Sequence, residues 1–389
     1  MRLLDARTLG LVDITDDSIP PYAILSHTWG DEEITIQQLR RLGGCSQTTL
    51  ASPRTLDKKR RAIVLKKGYI KISGAAQLAV SRGLDYIWVD TCCIDKTSSA
   101  ELSEAINSMY LWYEKSAECY AYLSDVEPVL AAAGANVFHD NLRRSRWFTR
   151  GWTLQELIAP KVVLFYAKDW SFLGQKHTPP EFTKAISEIT NIDQEVLNGR
   201  IDPLQLSVSA RMAWASHRNT TRLEDTAYCL MGLFQVNMPL LYGEGRRAFA
   251  RLQEEIIQRT DDQSIFAWNS FDDQDEDPDA LFGLLAQSPA QFKLAGSLQV
   301  LPPLPIYASA PSSMTNQGIR VQLYIQQQGW RRLSMSRPLS AAAFRGSVWK
   351  TEAQVAALYA SPIRYISANG WLSLGIRQAA ASILSSSAV

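Results

Sequence analysis

Short apolar runs alternate with longer stretches of helical periodicity through the first half of the chain. Residues 22–26 form a continuous, mostly apolar run and predict a buried strand. Residues 69–83 keep helical spacing and end on a glycine stop. Residues 86–89 are apolar throughout and flanked by polar positions, the pattern of a strand covered on both faces. Over 99–117, Leu102, Ile106, Met109 and Tyr113 fall on one helical face, and Ser98 and Glu101 have capping-box spacing. Residues 119–123 and 162–167 predict a third and a fourth strand. Residues 146–158 read as helical or turn-rich, and 181–189 as a further helix.

Alternation of this kind predicts a doubly wound α/β fold, a parallel sheet with helices on both faces. Sites in such folds gather beyond the carboxyl ends of the strands. That rule selects Ser26, His27 and Trp29 after the first strand, and Asp90, Cys93 and Asp95 after the second. Ser124 and Asp125 follow the third, and Arg150, Trp152 and Glu156 lie in the segment leading to the fourth.

The pattern then changes. Residues 207–259 are helical in character. Thr221 and Glu224 repeat the capping-box spacing, followed by Leu223, Ala227, Met231 and Phe234 at helical intervals. Phe249, Leu252 and Ile256 mark another amphipathic helix after a glycine-containing loop at 237–245. Beyond about residue 260 come an acidic stretch, prolines, a β-like run at 319–325 and an Ala/Ser-rich tail from about 334. The expected division is an α/β domain over 1–170, a helical extension over 171–260, and an acidic linker with a poorly patterned C-terminal region over 261–389.

Composition narrows the function classes. The 389 residues carry a formal net charge of +1, so no global field favours nucleic acid. The basic run at 58–67 and the acidic run at 261–279 are expected to be solvated loops. Five cysteines without CxxC spacing suit a reducing compartment. With no leader pattern and no apolar run of about 18 residues, a cytoplasmic chain without a membrane span is expected. Neither a GxxxxGK[ST] nor a strand-linked GxGxxG loop is present.

Several blocks, in order, carry a resemblance: PYAILSHTWG at 21–30, GLDYIWVDTCCIDK at 83–96 running on through 101–113, RWFTRGWTLQELIAP at 146–160, and TTRLEDTAY at 220–228 with PLLYGEG at 239–245. Over roughly residues 1–270 the chain resembles the fungal HET-domain (heterokaryon or vegetative incompatibility) family. The resemblance implies a fungal origin and a role in programmed cell death or growth arrest. It also implies protein partners, through self-association or an incompatibility partner. The family is distantly similar to TIR domains, which share a flavodoxin-like plan. Some TIR domains cleave NAD with a glutamate in a Trp-x-x-x-Glu pattern. Trp152 and Glu156 have that spacing, which puts both on one helical face. By this analogy NAD is a candidate substrate and the chain a candidate NAD-glycohydrolase. A HET-like chain recruited to fungal secondary metabolism is the third alternative. Two segments depart from the family pattern: 43–65, which reads as a loop insertion, and the tail after about 334.

Each candidate has a structural reading beside the functional one. Glu156 is either the catalytic carboxylate or a partner of Arg150 or Arg146. Glu104 is the alternative catalytic residue, or lies on an exposed helix face, and Glu101 is accounted for by the capping box. Ser26 and His27 are adjacent on a strand and point to opposite faces, so they are not expected to pair with each other. Cys92 and Cys93 read as buried thiols. No metal is expected, because His27, His139, His177 and His217 are scattered. Trp29, Trp88, Trp147 and Trp152 suit either ring stacking or the core. The deciding geometry is whether Glu156, Ser26 and Asp90 converge.

Overall fold

The structure, a computed structural model, describes residues 1–15, 18–43, 57–128, 140–269, 284–298, 313–315 and 318–320. The chain divides into two compact units. The first comprises Met1–Ile201, Arg218–Thr220 and Cys229–Leu240; the second comprises Asp202–His217, Thr221–Tyr228 and Leu241–Val389. Residues 171–260 are thus shared between the two.

A seven-stranded sheet organises the first unit. Its strands are β1 (Arg2–Asp5), β2 (Leu11–Asp13), β3 (Tyr22–His27), β4 (Tyr86–Trp88), β5 (Glu118–Tyr122), β6 (Val163–Tyr166) and β7 (Phe172–Gln175). The spatial order is β2-β1-β4-β3-β5-β6-β7. Strands β4, β3, β5 and β6 are mutually parallel, in register from Tyr22 opposite Tyr86 to Tyr122 opposite Tyr166. These are the four predicted strands. The sheet is mixed rather than purely parallel, because β1, β2 and β7 join antiparallel at its edges. All six residues of β3 and all four of β6 are buried, as continuous apolar runs require. The order of the parallel strands reverses between β3 and β5, and such a reversal opens a crevice at the strands' carboxyl ends.

The longer helices of this unit are α1 (Ile36–Leu42), α2 (Lys58–Val64), α3 (Lys67–Ser81), α4 (Ser99–Lys115), α5 (Thr153–Ile158) and α6 (Pro180–Thr190), with single turns at Asp90–Cys93 and Gln194–Leu197. Helix α3 stops just before the predicted glycine. Helix α4 begins at Ser98, whose hydroxyl accepts from the Glu101 amide, so half of the capping box forms. The other half does not: the Glu101 carboxylate accepts from Arg2 and from the Asp95 amide, both at 2.6 Å. The basic run expected as a loop is instead helix α2 and the start of α3. Asp57 caps α2, accepting from the Lys59 and Arg60 amides, while Ile63 and Val64 are buried and the lysines face solvent. The rest of the expected insertion, 44–56, lies outside the described residues, as do His139 and the tail after 334.

In the second unit, α7 (Val208–Trp214), α8 (Asp225–Tyr228) and α9 (Arg247–Arg259) confirm the helical character, and β8 (Ser313–Thr315) pairs antiparallel with β9 (Gly318–Arg320). Of the β-like run at 319–325, residues 321–325 lie outside the described residues. The long helix expected after Thr221 breaks up, because the Glu224 carboxylate accepts from the Gly243 and Gly245 amides at 2.8 and 3.0 Å. The Tyr242 hydroxyl donates to Asp225 (3.0 Å) and the Tyr228 hydroxyl to Glu244 (3.0 Å). The blocks 220–228 and 239–245 are therefore clasped by side chains of both.

Candidate functional site

The carboxyl end of β3 carries two side-chain clusters. Ser26 and His27 point to opposite faces of the sheet, as alternation demands, and each meets different partners.

On the first face the Ser26 hydroxyl donates to Glu156 Oε2 and accepts from the Trp147 indole nitrogen at 2.8 Å. Ser26, Trp147 and Glu156 are all buried. Trp147 lies in a 3-10 turn, Arg146–Thr149, and packs edge-on against Phe148 and Phe165 at 5.0 and 5.4 Å. Glu156 lies in α5, whose C-terminal carbonyls of Leu157 and Pro160 accept from the buried Lys176 ammonium. Burial raises the Glu156 carboxyl to about 8, and the nearby Asp90 charge pushes the same way. Ser26, Tyr113 and Arg218 oppose the rise without cancelling it. Tyr113 itself donates to the Leu25 carbonyl at 3.2 Å. At pH 7 Glu156 is therefore a neutral hydrogen-bonding group, and acts as a carboxylate only when something favours loss of its proton.

The arginine whose charge reaches Glu156 is Arg218, not the expected Arg150 or Arg146. Arg218 donates to the Arg150 carbonyl and the Thr153 hydroxyl, both at 2.9 Å. Its segment reaches α5 because the Asn219 amide donates to Thr149 and the Gly151 amide to Asn219. A β-carbon at Gly151 would collide with Thr220, which accounts for glycine there. Arg150 and Trp152, both half-buried, flank this glycine at the start of α5.

On the second face His27 meets Glu33 and Asp90. Its Nε2 lies 3.6 Å from Glu33 Oε2 and 3.8 Å from Asp90 Oδ1, too far for hydrogen bonds. Neither ring nitrogen, nor Glu33 Oε2, has a hydrogen-bond partner among the described residues. Glu33 Oε1 accepts from the buried Lys71 ammonium at 2.6 Å. Burial raises the Glu33 carboxyl, but His27 and Lys71 outweigh it and hold the group near 2. Asp90 accepts from the Trp29 indole at 2.7 Å, and the Lys96 ammonium stacks on the Trp29 ring at 3.4 Å. The Glu33 loop can approach because residue 68 is glycine; a β-carbon there would run into the Glu32 carbonyl.

The structure thus joins Ser26 with Glu156, and His27 with Asp90 and Trp29. Asp90 links the two groups through its charge. Other predicted residues lie elsewhere. Asp95 accepts from Gln37 (2.9 Å) and Thr97 (2.6 Å) in a separate polar knot. Cys93 is buried with its sulfur against the Val89 amide, and Cys92 and Cys119 are buried thiols held protonated. Glu104 is exposed on α4. Trp88 packs in the core against Trp112 and Tyr113. Among the described residues no group of three or more His, Cys, Asp or Glu is arranged to hold a metal ion, and no helix is long and apolar enough to cross a membrane. A cleft of about 370 Å³ beside Arg2, Asp13 and Arg40 contains none of the strand-end residues.

Glu33, Lys71 and Arg218 were not anticipated. Glu33 reads as an ordinary loop acid, and Lys71 as a solvated helix lysine. Arg218 lies far from Glu156 in sequence, though it adjoins the 220–228 block.

Residues 22–135 match the family described as "Heterokaryon incompatibility protein (HET)". Residues 247–343 match a "Domain of unknown function (DUF8212)". The chain is 44% identical over 265 residues to "Vegetative incompatibility protein HET-E-1" of Podospora anserina, a stretch covering 66% of this chain but 18% of that relative. No solved structure matches. The family match takes in β3, β4 and β5, and with them Ser26, His27 and Asp90: residues 22–135 are similar to the HET domain, and the chain spans 18% of the length of the relative it matches.

Proposed function

We propose that this chain is a signalling and effector module of heterokaryon incompatibility, triggering growth arrest or cell death on non-self recognition through self-association or a partner protein. The 44% identity to a vegetative incompatibility protein carries this reading. Inducible expression in a filamentous fungus tests it. The expected result is growth arrest, relieved by Arg150→Ala or Trp152→Ala at equal protein level. Normal growth at high expression of the wild type sinks it and favours a metabolic role.

A second reading has its own support. The order of the parallel strands, second-first-third-fourth, is that of flavodoxin-like sheets and supports a TIR-like plan. Glu156 then lies at the strand ends where a TIR-type NAD-glycohydrolase needs a carboxylate. In that reaction the bond between ribose C1′ and the pyridinium nitrogen breaks, and its electron pair neutralises the nicotinamide ring. Water adds to C1′ and releases one proton. An ionised Glu156 would stabilise the positive charge that builds on the ribose. Nicotinamide release from NAD by wild type, but not by Glu156→Gln, is the expected result. No release at high protein concentration removes this reading and leaves the first intact.

A further inference from the structure

Trp29 is 47% exposed, yet it is not loose: its indole N–H is fixed on Asp90, and one ring face is covered by the Lys96 ammonium at 3.4 Å. An electron-rich face held by a carboxylate is the arrangement that binds cations, and tryptophan is the best of the aromatic side chains at it. Two acidic groups, Asp90 and Glu33, stand beside it. Beneath them His27, with its side chain 1% exposed, has both ring nitrogens unpartnered, and so does Glu33 Oε2. Buried polar atoms without partners carry a desolvation penalty that a polar group entering the site would relieve.

We propose that Trp29, Asp90 and Glu33 form a binding site for a planar organic cation of the N-alkylpyridinium class, and that Lys96 occupies the cation's position until it is displaced. The choice of a pyridinium, the oxidised nicotinamide end of NAD, rests on the glycohydrolase reading above. The cation site itself rests on the indole face, its carboxylate tether and the unpartnered imidazole. Lys96 is exposed as a residue while its ammonium is partly desolvated over the ring, which lowers its proton affinity, so swinging it out returns that charge to water. Asp90 already acts electrostatically on Glu156, so charge bound beside Asp90 is felt at the neighbouring cluster.

Calorimetric titration of the whole chain with NAD⁺, NADH and N-methylnicotinamide tests this. NADH differs in having an uncharged ring, and N-methylnicotinamide has no glycosidic bond to cleave. The expected order is NAD⁺ about tenfold tighter than NADH, with saturable binding of N-methylnicotinamide. Trp29→Leu should weaken NAD⁺ by about tenfold or more, and Trp29→Phe should restore most of it. Lys96→Ala should tighten N-methylnicotinamide several-fold, because the internal competitor is gone. Thermal melts of each variant separate lost binding from lost folding. Equal affinity for NAD⁺ and NADH, no binding of any of the three, or unchanged or weaker binding by Lys96→Ala overturns the proposal. Binding in the expected order without nicotinamide release removes the glycohydrolase and leaves the cation site standing. Nicotinamide release that ignores Trp29→Leu does the reverse.

Discussion

Two neighbouring residues at the end of one strand face opposite physical environments. Ser26 enters a buried cluster in which indole is matched to hydroxyl and hydroxyl to carboxyl, with Arg218 Nη2 at its margin left without a partner among the described residues. His27 enters a polar cluster that reaches the surface at Trp29, with atoms left unmatched. The first draws on β3, the turn before α5 and α5 itself, and ties three distant segments together. The second draws on the loops after β3 and β4. Matched buried polar groups specify a fold, whereas unmatched ones beside an exposed ring suit something that comes and goes. The contrast assigns the Ser26 side a structural role that any chemistry of Glu156 must work within. The His27 side becomes the face where a ligand can enter.

The largest test of that contrast is Trp147→Ala. It removes a fully buried indole from Phe148 and Phe165 and takes the donor from Ser26. A loss of roughly 3–5 kcal/mol of folding stability is expected from truncating a buried tryptophan, measured by denaturant unfolding. A loss under about 1 kcal/mol would mean that the dry cluster does not hold the unit together.

Glu156→Gln comes next and has a pH signature. The folded carboxyl titrates near 8, against 4.5 ordinarily. Between those values the folded chain keeps a proton that the unfolded chain has lost, so wild-type stability falls as pH rises from about 4.5 to 8. Glutamine has no proton to lose. Its stability relative to wild type should rise through that window by roughly 3–5 kcal/mol and then level off. Unfolding curves taken at pH 5, 6.5 and 8 check this. A pH-independent difference between the two proteins would show that Glu156 is ionised in the folded state, with water at the carboxyl.

How much of this the sequence carries follows from the same contrast. The four parallel strands are legible because each is a continuous apolar run, and the rule for sites in doubly wound sheets puts Ser26, Asp90 and Glu156 at one end. Edge strands β1, β2 and β7 escape notice because none is a continuous apolar run: Arg2 and Asp5 bound β1, Asp13 ends β2, and Gly174 and Gln175 end β7. Helix α1 was recoverable: Thr35 and Gln38 form a complete capping box, and Gly43 closes the helix. The partners of the clusters are a different matter. Arg218 meets α5 through a backbone pairing between Arg150 and Asn219, and Glu33 is buried because a loop settles on Gly68. Neither event depends on local periodicity, so no window of sequence displays it. The expected Arg150 or Arg146 pairing for Glu156 failed for that reason: sequence nearness stood in for spatial nearness.

The smallest expected effect bears on the other face. Trp29→Ala removes one hydrogen bond to Asp90 and the stack with Lys96, from a ring already 47% exposed. Exposed cation–π contacts and surface hydrogen bonds contribute modestly, so a change of about 0.5–1 kcal/mol in folding stability is expected. A Trp29→Ala, Lys96→Ala double variant should cost less than the sum of the two single variants, because the stack they share is then lost once and not counted twice. Denaturant midpoints of the two single variants and the double variant measure that coupling. If Trp29→Ala instead costs as much as Trp147→Ala, the exposed ring is part of the structural frame, and the division between a fold-holding face and a ligand-facing one collapses. A small cost leaves Trp29 free to be spent on binding, because a residue that contributes little to stability can change partners without unfolding the strand end that carries it.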